Sequence, residues 1–168
     1  MAQDMVNPVD LVGFRGGPFP QSVVDAAVGA IRSECGWHIA PVQEQEVTLR
    51  TGGVQTLLMP SLHIVEVLEA ESLVSVYDPV IPVGSVEILD HGALHLEGGW
   101  PARVRIKYRH GYAACPDELK GIVAELALNG SRGRVRQESL AGRSISLEGG
   151  ADPMTEGVLK RYTITGDL

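Results

Sequence analysis

Apolar positions recur along this chain at two different periods, and the changes of period divide it into segments. Val23, Val24, Ala27, Val28, Ile31 and Cys35 repeat at helical spacing. Pro20 is acceptable in a first turn and Gly36 suits a left-handed stop, so a helix is predicted over 20–36. Burying its Val and Ile side chains contributes roughly 1.5 to 3 kcal/mol each, too little to hold an isolated helix, so it needs something to pack on. From 39 to 109 the pattern shifts to short strand-like runs: Val47 to Leu49, Val54 to Met59, Ile64 to Leu68, Leu73 to Tyr77, Val86 to Leu89, Leu94 to Leu96 and Arg103 to Tyr108. Gly52-Gly53, Asp78-Pro79, Gly92 and Gly98-Gly99 punctuate them. Asp90-His91-Gly92-Ala93 reads as a hairpin loop that puts Val86, Ile88, Leu94 and Leu96 on one face and Glu87, His95 and Glu97 on the other.

The helical period returns over 116–129. Leu119, Ile122, Val123 and Leu126 share a face, Pro116 opens the segment, Asp117 and Glu118 suit its N-terminal dipole, and Asn129-Gly130 is the expected end. Residues 130–152 read as a Gly- and Arg-rich loop with a short strand at Ser144-Ile145-Ser146-Leu147. Over 153–168 a short clip is predicted, with Asp152 as cap, Met154, Val158, Leu159 and Tyr162 on one face, and Lys160 and Arg161 near its C-terminal end. A helix that short must dock on its own core, a neighbouring subunit or another protein. Residues 1–19, with Pro8, Gly13, Gly16, Gly17 and Pro18, read as an N-terminal arm or irregular lead-in. The order predicts an α+β fold: a small helical bundle of N-terminal helix, helix after Pro116 and short C-terminal helix, with an antiparallel β-region inserted between the first two helices.

A length of 168 residues and 44% hydrophobic content suit one compact domain with a sizeable core. The net charge of −7 disfavours a dedicated nucleic-acid binder, because such proteins displace counterions from phosphates with clustered Lys and Arg. Two cysteines, Cys35 and Cys115, make no disulfide framework, which fits a reducing compartment. No apolar run approaches the length of a membrane span, and Met1-Ala2-Gln3-Asp4 lacks the basic flank of a signal peptide. The expectation is a protein made and kept in cytosol, or in a particle assembled there, with no membrane partner.

Residues 51–102 contain no Lys or Arg, whereas Arg103, Arg105, Lys107 and Arg109 follow at period two, opposite in parity to Val104, Ile106 and Tyr108. One strand therefore has a basic face. Its cations either lie opposite acidic neighbours in the sheet, or dock an acidic partner such as another copy, or contact phosphate. Arg132, Arg134 and Arg136 alternate in the loop and suit DNA phosphates, an acidic protein surface or plain solvation. His91 and His95 with Asp90 lack the further ligands that complete a tetrahedral metal site. Cys35 with His38 is a thiol beside a base, but Cys35 continues an apolar helix face, where sulfur acts as a small hydrophobe. Trp37 reads as core; Trp100 suits core or interface. No Gly-x-Ser-x-Gly, His-Glu-x-x-His or phosphate-loop ending occurs, so an enzyme reading has no residue set, and no cofactor is implied.

Several separated motifs in order resemble head-to-tail adaptor proteins of tailed phages of actinobacteria. Residues 28–41, containing Cys35-Gly36-Trp37-His38, resemble their first helix and its exit. Leu57 to Leu62 is similar to their central β turn, and Gly98-Gly99-Trp100-Pro101 with Tyr108-Arg109-His110-Gly111-Tyr112 to their late strand. Val158-Leu159-Lys160-Arg161-Tyr162 is similar to their terminal Leu-x-x-Tyr ending. Gly29, Gly121 and Gly157 depart from good helix formers, each costing up to about 1 kcal/mol against Ala. The resemblance implies a non-enzymatic virion protein of a siphovirus-like neck, bound to the portal and to a stopper or tail-completion protein. It implies a ring, commonly of about twelve copies, through which double-stranded DNA passes without sequence-specific binding, during ejection included. Terminal segments and loops are then the natural contacts, which places Met154, Val158, Leu159, Tyr162 and the Arg runs at partner or ring interfaces. An acidic wall also suits a sliding duplex, because it repels phosphate.

Overall fold

The computed structural model describes residues 4–74, 77, 80–131 and 153–164. The fold is α+β, with the antiparallel strands falling between the first two helices in sequence. Its contacts gather into two compact units: residues 1–37 with 115–163, and residues 38–114 with 164–168.

The first unit is helical. Helix α1 spans Gln21–Cys35 and buries Val24, Ala27, Val28, Ile31 and Cys35, the face that the apolar spacing predicts. Gly36 ends it at φ 78°, its N–H donating to the Arg32 carbonyl at 2.9 Å, as a left-handed cap does. Helix α2 spans Asp117–Ser131 and buries Leu119, Ile122, Val123, Ala124 and Ala127. Pro116 sits just before it and its carbonyl accepts from the N–H groups of Leu119 and Lys120. The stop expected at Asn129-Gly130 comes later, at Ser131, whose hydroxyl donates back to the Ala127 carbonyl at 2.9 Å. Helix α3 spans Pro153–Arg161 and packs against both α1 and α2.

The lead-in is more than an arm. A 3-10 turn at Pro8–Leu11 and the residues around it bury Met5, Val6, Leu11 and Phe19, so this Pro- and Gly-rich stretch supplies core to the helical unit. Its close turns are invisible to periodicity: a side chain at Gly16 (φ 92°) would stand 2.5 Å from Leu128 Cδ1.

The second unit holds two three-stranded antiparallel sheets. One has the order β1-β6-β3, from β1 (Gln43–Arg50), β3 (Ile64–Ser72) and β6 (Arg103–His110); the other is β2-β5-β4, from β2 (Thr56–Leu58), β4 (Val86–Leu89) and β5 (Ala93–Leu96). Leu57, Met59, Ile64, Ala70, Ile81, Leu94, Trp100, Val104, Ile106 and Tyr108 form one core between them. The predicted hairpin has the expected register, Val86 opposite Leu96 and Ile88 opposite Leu94. At its loop Gly92 takes φ 75°, and a Cβ there would stand 1.6 Å from the Ser61 carbonyl oxygen.

Two strand expectations need correction. Ile64–Ser72 is one strand that continues past the end expected at Leu68, and the separate run expected from Leu73 to Tyr77 would begin only after it has ended. The reason is irregular pairing: register shifts between Ile64 and Glu66 and between Val67 and Glu69 let the strand continue through a pattern that does not alternate. Val54 belongs to the preceding turn rather than to β2, its carbonyl accepting from the Trp100 N–H at 2.8 Å.

Candidate functional site

The basic strand is β6, and its position at the centre of its sheet decides what its cations meet. Val104, Ile106, Tyr108 and His110 point to the core and are all buried. Arg103, Arg105, Lys107 and Arg109 therefore line the opposite face. On one side β3 places Glu71, Glu69 and Glu66 across from Arg105, Lys107 and Arg109. Arg105 pairs with Glu71, Lys107 Nζ lies 3.6 Å from Glu69 Oε1, and Arg109 Nη1 lies 2.8 Å from Glu66 Oε1. Glu66 and Glu69, three residues apart, would fall on opposite faces of a regular strand; the bulge between Val67 and Glu69 brings both to the cations. On the other side β1 sets Glu46 across from Lys107 and Glu44 across from Arg109. The intramolecular pairing among the three sequence alternatives is thus present for three of the four cations. Each such exposed pair contributes a few tenths of a kcal/mol. Arg103 differs: it faces Arg50, and among the described residues it has no carboxylate partner.

At the end of this sheet the motif residues converge. His110 is 1% exposed, with Gln43 Nε2 at 3.3 Å from its Nε2 and the Tyr108 ring centroid at 5.0 Å. Burial pushes its imidazole down to about 4, with His38, 6.0 Å away between ring centroids, adding to the effect. His38 Nε2 lies 2.7 Å from the Pro41 carbonyl oxygen. Gly111 takes φ 102° and leaves no room for a side chain against Pro41 and Ile39, its N–H donating to the His63 carbonyl at 2.9 Å. The Tyr112 N–H donates to the Ile39 carbonyl at 2.7 Å, and its ring stacks on His63 with centroids 4.5 Å apart. His63, Gln43 and Gln45, whose Oε1 accepts from the Tyr108 hydroxyl at 3.2 Å, were not singled out from sequence. Polar residues on an inward strand face carry a weak signal, since only pairing shows whether they meet. Trp100 resolves to core at 2% exposure, its indole donating to the Leu94 carbonyl at 3.3 Å.

In the helical unit Trp37 is core as expected, and its Nε1 donates to the Tyr162 carbonyl at 2.6 Å. That bond, with Arg161 Nη2 2.7 Å from Glu118 Oε2, holds the terminal clip on its own helices. Val158, Leu159 and Tyr162 are half-buried, whereas Met154 is 78% exposed. Burial pushes the Cys35 thiol up to about 11 and the Cys115 thiol up to about 12, which favours the protonated form of both at neutral pH. Among the described residues no group of three or more His, Cys, Asp or Glu is arranged to hold a metal, and no helix is long and apolar enough to cross a membrane. Arg132, Arg134, Arg136, Asp152 and the strand expected at Ser144 to Leu147 lie outside the described residues.

The fold, with helices before and after a β region in sequence, is similar to that of solved chains from gene transfer agent particles. The chain is similar to one in the neck of a native gene transfer agent particle computed with C12 symmetry: TM-score 0.59, 17% identity, 88% of this chain and 83% of that one covered. A chain in the neck of an empty particle computed with C6 symmetry gives TM-score 0.58 at 16% identity, covering 88% and 79%. One in the virion of the native particle gives 0.54 at 18%, covering 98% and 92%. No family model matches the chain, and no curated protein matches it.

Proposed function

We propose that this protein is a non-enzymatic component of a phage-type neck, a ring-forming adaptor between the portal and a stopper or tail-completion protein. The observation that carries the reading is fold likeness along most of the chain to neck chains, one of them in a particle computed with C12 symmetry. Twelve copies around one axis is the ring number this favours. The motif resemblance to head-to-tail adaptors supports the same reading independently of the fold. Net charge of −7 per copy gives such a ring a phosphate-repelling character, suited to DNA that passes without binding. The DNA-contacting alternative is weakened at the basic strand, where carboxylates already occupy three of its four cations.

Contacts to the portal and neighbouring proteins are assigned to the α3 face around Met154 and to the Arg runs, with assembly in the host cytoplasm and residence in the virion. The test is co-sedimentation of the full chain with portal rings of the same particle, followed by electron microscopy of the complex. Binding as a ring on the portal axis is expected. A chain that stays unbound, or that is missing from mature particles, refutes the reading.

A further inference from the structure

The sheet β1-β6-β3 has two outer edges, and they are unlike. Along β3 the edge is broken by two register shifts, and Val80 bridges to Glu71 while Ile81 N–H donates to the Ala70 carbonyl. Such irregularities and covers are how sheets block further pairing. Along β1 eight residues, Gln43–Arg50, run in unbroken register with β6, without Pro, Gly or Lys. None of them is buried. The core is also unfinished here: Val47 and Leu49 are only half-buried, while Ile106 and Val104 directly opposite are fully buried.

The outer face of the sheet alternates by strand, carboxylates on β3, cations on β6 and carboxylates again at Glu44 and Glu46 on β1. The next strand in that series would carry cations at alternate positions, with small or apolar residues between them. Arg132-Gly133-Arg134-Val135-Arg136 has that pattern. We propose that the β1 edge accepts an added strand, and that its occupant is the Arg132 to Arg136 segment of a second copy. The arginines then face Glu44 and Glu46, Val135 extends the apolar side next to Val47, and main-chain hydrogen bonds supply the adhesion. This rests on the ring reading above. A strand given by one copy and received by the next is a head-to-tail contact, which closes into a ring, whereas β1 pairing with itself would stop at a dimer.

The test uses the full chain in two variants, Glu46→Cys and Arg134→Cys, mixed and oxidised; Cys35 and Cys115 are buried and stay out of the reaction. A disulfide-linked dimer containing one of each variant is expected, and a ladder of multimers from the double variant. Adding Glu44→Arg to the acceptor lowers the cross-linked yield about tenfold, and Arg132→Glu with Arg136→Glu on the donor restores it. That restoration also shows that the variants fold. No mixed dimer, a link formed only within one chain, or dimers of Glu46→Cys alone overturns the proposal. Rings seen by electron microscopy without the cross-link overturn strand addition while leaving the neck reading intact. Cross-linked open chains that never close on the portal support strand addition and count against the ring.

Discussion

His110 makes the stability of the β unit depend on pH in a window that its neighbours define. Its side chain lies between Tyr108, His38, Gln43 and Ile64, none of which is an acid that would welcome a proton. The folded protein therefore keeps the ring neutral down to about 4, while the unfolded chain protonates it at the ordinary 6.5. Between those values the unfolded state binds more protons, so stability is complete above about pH 7 and falls with acidification. Linkage gives a loss of about 2 kcal/mol by about pH 5 and about 3 kcal/mol near pH 4. The perturbation is His110→Phe, which keeps an aromatic ring against Tyr108 and removes the titration. Urea unfolding followed by Trp100 fluorescence in a Trp37→Phe background measures both proteins from about pH 7.5 to 5, above most carboxylate titration. The stability gap between them should change by about 2 kcal/mol across that range, the histidine protein losing more. Parallel curves would refute the argument that burial governs this group.

Arg103→Thr should raise stability by about 0.2 to 1 kcal/mol in chemical unfolding, because it relieves a like-charge pair with Arg50 directly opposite. Gly92→Ala should cost at least about 2 kcal/mol, since the new methyl meets the Ser61 carbonyl in a positive-φ turn; the thermal midpoint reads it. Gly29→Ala and Gly121→Ala should each stabilise by about 0.5 to 1 kcal/mol, because a Cβ at either position meets nothing within 4 Å; calorimetry of the single variants checks this.

The helices were legible because their apolar spacing and the Gly36 stop are local signals that packing left in force. Strands were legible where alternation is regular, as in the hairpin around Gly92 and in β6. They failed in β3, where bulges decouple side-chain parity from sequence parity, so Glu66 and Glu69 could not be placed together from spacing alone. The same failure hid the partners of the basic strand: a period-two run of cations shows a face, but the carboxylates that meet it come from strands distant in sequence. The lead-in misled for the opposite reason, since Met5, Val6, Leu11 and Phe19 are buried by turns rather than by a periodic element.

The hydrogen bond between the Tyr112 N–H and the Ile39 carbonyl ties the entry of the β insertion to its exit. For the helices that surround it in sequence, residues 38–114 consequently act as a stem of near-zero span rather than as a long tether. Closing the bundle then carries the entropy cost of a short connection, which leaves the inserted sheets free to grow, shrink or diverge without taxing the scaffold that bears them.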